Sequence, residues 1–414
     1  MASRSAIARY RVFEEPNGSF ALDATGSLGS FLDLRSMESP FGAPRVSLPD
    51  QRVRAYRVDQ PKDQFGFRSA TWDWSGHLVS HGTALNAAAS APSIDGLGTV
   101  LKAMFGGRAI AAGSTVAASP SPTSTGLSVA TGHGSRMPAG RIVWVADSTG
   151  RYHPAKVKTQ SSDALTFACA LSFTPAAGAV VLNSETFYET DKPNTSLQFV
   201  AEGENRNGNV FVLMGCHGSL QFNLQLGQLA MVSAQWQVAR WLRSAESAGT
   251  PASGSLSHSL PAVVPVPISA SSIVFCPSGA TTRVAPSIES FALNVNHTFQ
   301  SMAALNGVDG VAERVRISSE ITATLSIPVS DSSPDEYITA RDAGTTYQVL
   351  LNLNDQTGGA LLALEMGTVQ IRDVKMVMKN GLRYQEIAVL ALADDNATDK
   401  TTDERRSPVR IARG

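Results

Sequence analysis

Charge is scarce in this chain: of 414 residues only 17% are Asp, Glu, Lys or Arg, and the formal net charge is -1. No global field therefore draws the protein to nucleic acid or to an acidic membrane. Cysteine is nearly absent, with Cys169, Cys216 and Cys276 isolated and odd in number. That pattern excludes a disulfide framework and points to reduced thiols acting as small buried hydrophobes in a chain that folds in a reducing compartment. Long apolar runs are missing too. MASRSAIARYRVFEE has no signal-peptide core, and the most apolar stretch, LPAVVPVPI, is broken by prolines, so no membrane span is expected. There is no Walker A loop, dinucleotide GxGxxG, GxSxG elbow, HExxH or CxxC. No cofactor, metal or catalysis is expected.

What the chain does have is period two. In Ser219 to Trp241, Leu220, Phe222, Leu224 and Leu226 alternate with Gln221, Asn223 and Gln225. After Gly227 the phase slips, and Val232, Ala234, Trp236 and Val238 alternate with Ser233, Gln235 and Gln237. Such alternation marks two half-buried antiparallel strands with a kink or bulge between them. A second copy runs from Thr368 to Leu392, where Asn380-Gly381 is a strong hairpin signal. Each copy follows an apolar strand ending in Met-Gly, NVFVLMG (Asn209 to Gly215) and ALLALEMG (Ala360 to Gly367). One β-rich unit is used twice.

The expected organisation is an N-terminal arm and first strand (1–60), a first unit (61–243) and a linker (244–284), then a second unit (285–395) and a C-terminal tail (396–414). The arm, from Tyr10 to about Pro61, mixes short apolar pieces with turn formers and reads as loose chain that docks on something. In FRSATWDWSGHLV, Trp72, Trp74, Gly76 and Leu78 share a face. A helix follows, capped by Ser93, lined by Ile94, Leu97, Leu101 and Met104, and ended by Gly106. Gly107 to Gly134 reads as loop. Compact alternation from Met137 to Tyr188 predicts a small β-barrel or sandwich inserted within the first unit (137–190). In the second unit, Phe291, Leu293, Val295 and Phe299 share a face. RVRISSEITATLSIPV then places Val315, Ile317, Ile321, Ala323, Leu325 and Ile327 on one side, with Arg314, Arg316, Ser318 and Glu320 on the other. At about 3.3 Å per residue that strand reaches roughly 50 Å and should project beyond its domain. A second helix is expected, with Ser333 as N-cap, Pro334 at N1, Glu336 completing a capping box and Gly344 at its end.

The polar residues that invite chemistry have plainer readings. His77 and His81 are four apart in a strand-like stretch, about 13 Å along the chain, and cannot share an ion. Asp73, Ser75 and His77 read as one polar strand edge, and Cys216 and His217 point to opposite faces of a strand. Arg405, Arg406, Arg410 and Arg413 in the tail read either as a solvated run or as a contact for an acidic neighbour. The amide row Gln221, Asn223, Gln225, Gln235 and Gln237 reads either as a wet neutral sheet face or as a lumen or interface.

With the elements in order, the chain resembles the tail tube proteins of long-tailed bacteriophages, in particular the longer siphophage versions with a duplicated tube domain. The resemblance rests on WDWSGHLVSHGTALNAAASAPSIDGLGTVLKAMFGG in the first half. In the second half it rests on SFALNVNHTFQSMAALNGVDGVAERVRISSEITATLSIP and GLRYQEIAVLALAD. It implies an all-β fold: two tandem tail-tube-type β-sandwich or barrel units, each with a flanking α-helix, plus the small inserted β-domain as outer decoration. It also implies a structural virion protein that assembles in the bacterial cytoplasm into stacked rings, three copies each, around a conduit for genome ejection. The partners implied are further copies of itself, the tail terminator, tape measure and distal tail proteins, and DNA in non-specific transit. The inter-ring contact is expected at the tip from Ser301 to Gly310, with Met302, Leu305, Asn306, Val308 and Asp309, and in the tail with Arg405, Arg406 and Arg410. Two alternatives remain open here: a minor tail or tail-tip protein, and a module binding a host surface through the inserted domain.

Overall fold

The computed structural model describes residues 7–15, 30–32, 36–37, 47–48, 64–65, 70–80, 94–190, 195–203, 210–243, 264–265, 272–308, 311–329, 336–353, 361–379, 381–393 and 403–414. Ser93, Ser333, Pro334, His81, Asn380 and Asp309 lie outside the described residues. The architecture is all-β, and one antiparallel sheet system runs through most of it. Its first half contributes β1 (Ile7–Glu14), β2 (Ser36–Met37), β3 (Ala70–His77), helix α1 (Gly96–Phe105), β4 (Gly106–Ala109), β5 (Glu185–Glu189), β6 (Leu197–Gly203), β7 (Val210–Gln225), β8 (Met231–Val238) and β9 (Arg240–Arg243). Its second half contributes β10 (Ser272–Pro277), β11 (Ser290–Val308), β12 (Val311–Pro328), helix α2 (Glu336–Asp342), β13 (Thr346–Asn352), β14 (Leu362–Lys379), β15 (Leu382–Leu392) and β16 (Val409–Arg413).

Pairing shows the same plan twice. In the first unit β1 pairs β6, β6 pairs the start of β7, the rest of β7 pairs β8, β8 pairs β3, and β3 pairs β2. In the second, β10 pairs β13, β13 pairs the start of β14, the rest of β14 pairs β15, β15 pairs β12, and β12 pairs β11. Even the closing strands correspond, since β9 pairs Phe211–Met214 of β7 and β16 pairs Leu362–Met366 of β14. The units are fused where the distal half of β7 pairs β11, from Leu220 opposite Val295 to Gln225 opposite Ser290.

The Met-Gly pairs do not end strands. β7 runs through Met214-Gly215 and β14 through Met366-Gly367, and in both units the register with the preceding strand shifts there. An inserted residue bends each strand, so one strand serves two sheet segments. Gly215 takes φ 63°, open to glycine at little cost. Its N–H donates to buried Glu15 Oε1 at 2.6 Å, and Ser196 donates to Oε2 at 2.5 Å. A donor that the bulge leaves without a ladder partner is thereby satisfied. Glu15 ends the β1 segment, so this piece of the expected arm is an integral strand between β6 and Ser30–Leu32.

The alternation sets the core. Leu220, Phe222 and Leu224 of β7, Val232, Ala234, Trp236 and Val238 of β8, and Trp72 and Trp74 of β3 are buried together. Phe199 joins the tryptophans, with ring centroids 4.6 Å from Trp72 and 5.3 Å from Trp236. Each such side chain contributes roughly 1.5–3 kcal/mol of burial. Leu226 departs from the row: β7 ends at Gln225, and Leu226 lies in the turn with Gly227 at φ 78°, 59% exposed. In α1 the cap is Asp95, whose side chain accepts from Gly98 N at 2.6 Å, and Gly106 closes the helix at φ 83° as expected.

The inserted sheet has six strands and draws on Ser114–Thr115, Gly126–Ser128, Ile142–Ala146, Tyr152–Ser161, Ala164–Phe167 and Val180–Asn183, around its own core. Two of these strands lie inside the Gly107 to Gly134 stretch read as loop. At the other end Glu185–Glu189 belongs to the main sheet, pairing β16 and β4. Within the linker region, Val264–Pro265 pairs with Val79–Ser80.

Candidate functional site

The arginine-rich tail is buried structure, which corrects the reading of Arg410 as an inter-ring contact. β16 lies between β14 and β5, and Arg410 and Arg413 are fully buried. Arg410 Nη1 donates to Glu365 Oε2 at 2.6 Å, and its Nε and Nη2 donate to the Glu404 carbonyl at 2.9 and 2.7 Å. Arg413 pairs with Asp95 Oδ2 at 2.9 Å and Glu185 Oε2 at 2.5 Å. A guanidinium in the interior must be paired, and β16 meets that requirement by tying the second unit to α1 and β5. Arg405 is half-buried. Arg406 is exposed and lines a cleft of about 440 Å³ with Arg372, Glu189 and Glu320.

The five amides do come together. Gln221, Asn223 and Gln225 of β7 and Gln235 and Gln237 of β8 are all exposed on one side of the sheet. Ser219, Ser233, Ser75, Asp73, Asn294 and Asn296 continue that face across β3, β7, β8 and β11, around a depression of about 520 Å³. The two asparagines were missed in the sequence, although the N-x-N spacing of SFALNVNHTF carried them. Among the described residues Asp73 is the single ionisable side chain lining the depression. The face is thus wet, hydrogen-bonding and almost neutral.

Two hairpins reach beyond their neighbours. Among the described residues β11 pairs β7 over Ser290–Val295 and β12 pairs β15 over Thr322–Pro328, so beyond those stretches the β11–β12 hairpin leaves the ladders and touches β7 and β8 through side chains near its base. Its base is clamped. Arg316 Nη1 meets Glu189 Oε1 at 2.9 Å and Nη2 donates to the Thr190 carbonyl. Arg314 Nη1 donates to Gln237 O at 2.8 Å, and buried His297 lies 3.5 Å from Glu189 Oε2. A register shift between Thr298 and Phe299 skips Ile317 and causes these contacts. The one-residue slip exchanges faces, so Ile317 is 59% exposed while Arg316 turns inward, the reverse of the strict alternation expected. Burial pushes the Glu189 carboxyl up, but His297, Ser319 and Arg316 outweigh it and hold the group below its usual range. Met302, on the distal part of β11, is 52% exposed. Leu305, Asn306 and Val308 belong to β11, but the surroundings of their side chains lie outside the described residues.

The second hairpin, β14–β15, exposes Met376 (53%), Met378 (65%) and Leu382 (62%). Among the described residues the outer edge of β14 beyond Ile371 has no strand partner, whereas the corresponding edge of β7 is covered by β11.

Cys216 and His217 are both buried within β7; desolvation raises the Cys216 thiol, and the His217 ring packs 4.7 Å from Phe299. All three cysteines are free and buried. Among the described residues no cluster of His, Cys, Asp and Glu is arranged to hold a metal ion, and no helix is long and apolar enough to cross a membrane.

No protein-family model and no curated protein matches the chain. A solved structure titled "Crystal structure of Hcp protein" is similar over 29% of this chain and 86% of that one, with 11% identity and a TM-score of 0.18. A likeness at that level carries no functional argument.

Proposed function

We propose that the protein is a structural subunit of a phage tail tube, closing into rings through the sheet edges that its own two units leave unused. One observation carries this reading. Inside the chain, the distal edge of β7 in the first unit is covered by β11 of the second. Among the described residues the equivalent edges left over are the distal edge of β14 and the β2–β3 edge. A second copy repeating the intrachain junction would pair β14 of one molecule with the β2–β3 edge of the next. Such a heterologous contact closes into a ring when its rotation divides a full turn, and closure removes the exposed edges. Each unit contributes a corresponding run of strands, β2–β3–β8–β7 in the first and β11–β12–β15–β14 in the second, and three chains would give pseudo-sixfold symmetry.

In that ring the amide-lined face would form the lumen. A neutral, hydrated wall exchanges hydrogen bonds with water and releases no counterions from passing phosphates, so DNA would slide without being held. The clamped β11–β12 hairpin would reach toward the adjacent ring, with Met302 and Ile317 available for contact. Virion location, partnership with tail terminator, tape measure and distal tail proteins, and the absence of catalysis belong to the same proposal. Replacing Met376 and Met378 with Glu tests it: the variant should stay a folded monomer while the parent chain forms hollow rings or tubes in electron micrographs. Equal assembly of both, or a parent that stays monomeric, refutes it. The inserted domain has its own core but also packs on the second unit through Trp144, Leu182 and Lys156, so the receptor-binding alternative is tested on the intact chain: a protein that forms no rings yet binds a host surface would favour it.

A further inference from the structure

Where the inserted domain meets the second unit, two of the three cysteines face one another across the seam. Cys169 follows the insert strand Ala164–Phe167, and Cys276 lies in β10. The segments are locked in register on both sides of Cys169. Cys276 Sγ lies 4.0 Å from the Ala168 carbonyl, and Ala170 N donates to Thr281 O at 3.2 Å. Both thiols belong to one packed cluster with Trp144, Leu182 and Leu350, and each shifts the titration of the other; Cys276 Sγ also lies 3.0 Å from the Thr282 carbonyl. Cys216 sits apart in the main core.

We propose that Cys169 and Cys276 form a thiol–disulfide staple that locks the inserted domain onto the second unit when the surroundings are oxidising. The neighbouring Cys169 thiol, aided by Lys158 and Arg283, favours the Cys276 thiolate against the burial that opposes it, and the same neighbourhood raises Cys169. Cys276 is therefore the attacking sulfur. With a small-molecule disulfide RSSR as oxidant, the Cys276 thiolate forms Cys276–S–SR and expels RS⁻. The negative charge that held Cys169 protonated is then gone. Cys169 passes its proton to RS⁻ and attacks Cys276 Sγ, expelling a second RS⁻ that takes up the proton Cys276 had lost. Two protein thiols and RSSR become one protein disulfide and two RSH. The sulfurs close to about 2.05 Å. The bond closes a loop of roughly 100 residues, a span whose cross-linking strongly restricts the unfolded chain.

The test uses the full native chain incubated with oxidised glutathione. The expected product has lost two hydrogens, and its proteolytic map contains one peptide pair joining Cys169 to Cys276, with Cys216 alkylated only after unfolding. The urea midpoint should rise on oxidation in the parent and in Cys216→Ser, and stay unchanged in Cys169→Ser and Cys276→Ser. The peptide map of the parent decides the matter even if a serine variant fails to fold. Glutathione adducts on either cysteine without a link, a link through Cys216, or an unmodified folded chain overturns the proposal.

Discussion

Replacing Arg410 with Met tests whether the arginine-rich tail is a buried tie. The guanidinium donates to Glu365 at 2.6 Å, to the Glu404 carbonyl from two nitrogens and to the Arg405 carbonyl at 3.0 Å, all with no solvent access to the arginine. Met fills much of the volume but satisfies none of these acceptors. Glu365 retains Lys156 at 3.1 Å and Gln348 at 3.2 Å, so its charge is not wholly orphaned. Breaking a buried pair by removing one partner costs about 3–5 kcal/mol, and the surviving Lys156 contact places this case near the lower end, about 3 kcal/mol. Urea unfolding followed by far-ultraviolet circular dichroism measures it as a fall in midpoint. The triple variant Arg410→Met/Glu365→Leu/Lys156→Met removes these three charges together and should recover most of the loss, because none of the three is left desolvated without its partner. A loss below about 1 kcal/mol for Arg410→Met would mean that the tail is solvated after all.

Three further outcomes follow from the same geometry. Asp95→Ala removes both the α1 cap on Gly98 and one of the two carboxylates paired with buried Arg413. It should cost more than the ~1 kcal/mol of a cap alone, whereas Asp95→Asn should keep the cap and lose the ion pair, and urea midpoints separate the two. Gly218→Ala places a Cβ 2.1 Å from Gln235 O and 2.9 Å from the Trp236 ring. Overpacking there should cost at least about 1–3 kcal/mol and shift tryptophan fluorescence; an unchanged midpoint would contradict the β7–β8 register. Glu189, held below its usual range, contributes stability that is complete above the unfolded carboxylate pKa of about 4.3 and fades as pH falls through its lower folded value. Glu189→Gln should therefore flatten the acid side of the stability profile and speed hydrogen exchange in distal β11 and β12; unchanged exchange would mean that the clamp does not hold the hairpin.

Much of this fold was legible because half-buried strands write their pairing into alternate residues. Leu220 to Leu224 and Val232 to Val238 were readable as core, and Gln221 to Gln237 as one exposed face, since period two fixes both faces at once. Where the reading slipped, a single residue broke the period. The Met-Gly pairs looked like strand ends because a bulge interrupts the alternation without ending the strand, and Ile317 was placed inward because the register shift skips it. The inserted strands Ser114–Thr115 and Gly126–Ser128 are too short to show any period. The sequence leaves Arg410 and Arg413 open between a solvated run and a contact for an acidic neighbour, because their carboxylate partners, Glu365, Glu185 and Asp95, lie far away in sequence. The repeated topology was visible as tandem copies of one hairpin, but its closing strands were not: β9 is four residues long, and β16 is separated from the unit it completes.

The most direct measurement is the rotational symmetry of the purified full-length protein at high concentration, by electron microscopy with class averaging. Threefold particles with a pseudo-sixfold open bore, whose protomers meet through β14 of one chain and the β2–β3 edge of the next, are the predicted result. Solid particles, or a bore whose protomers meet with β14 facing solvent, would contradict the account.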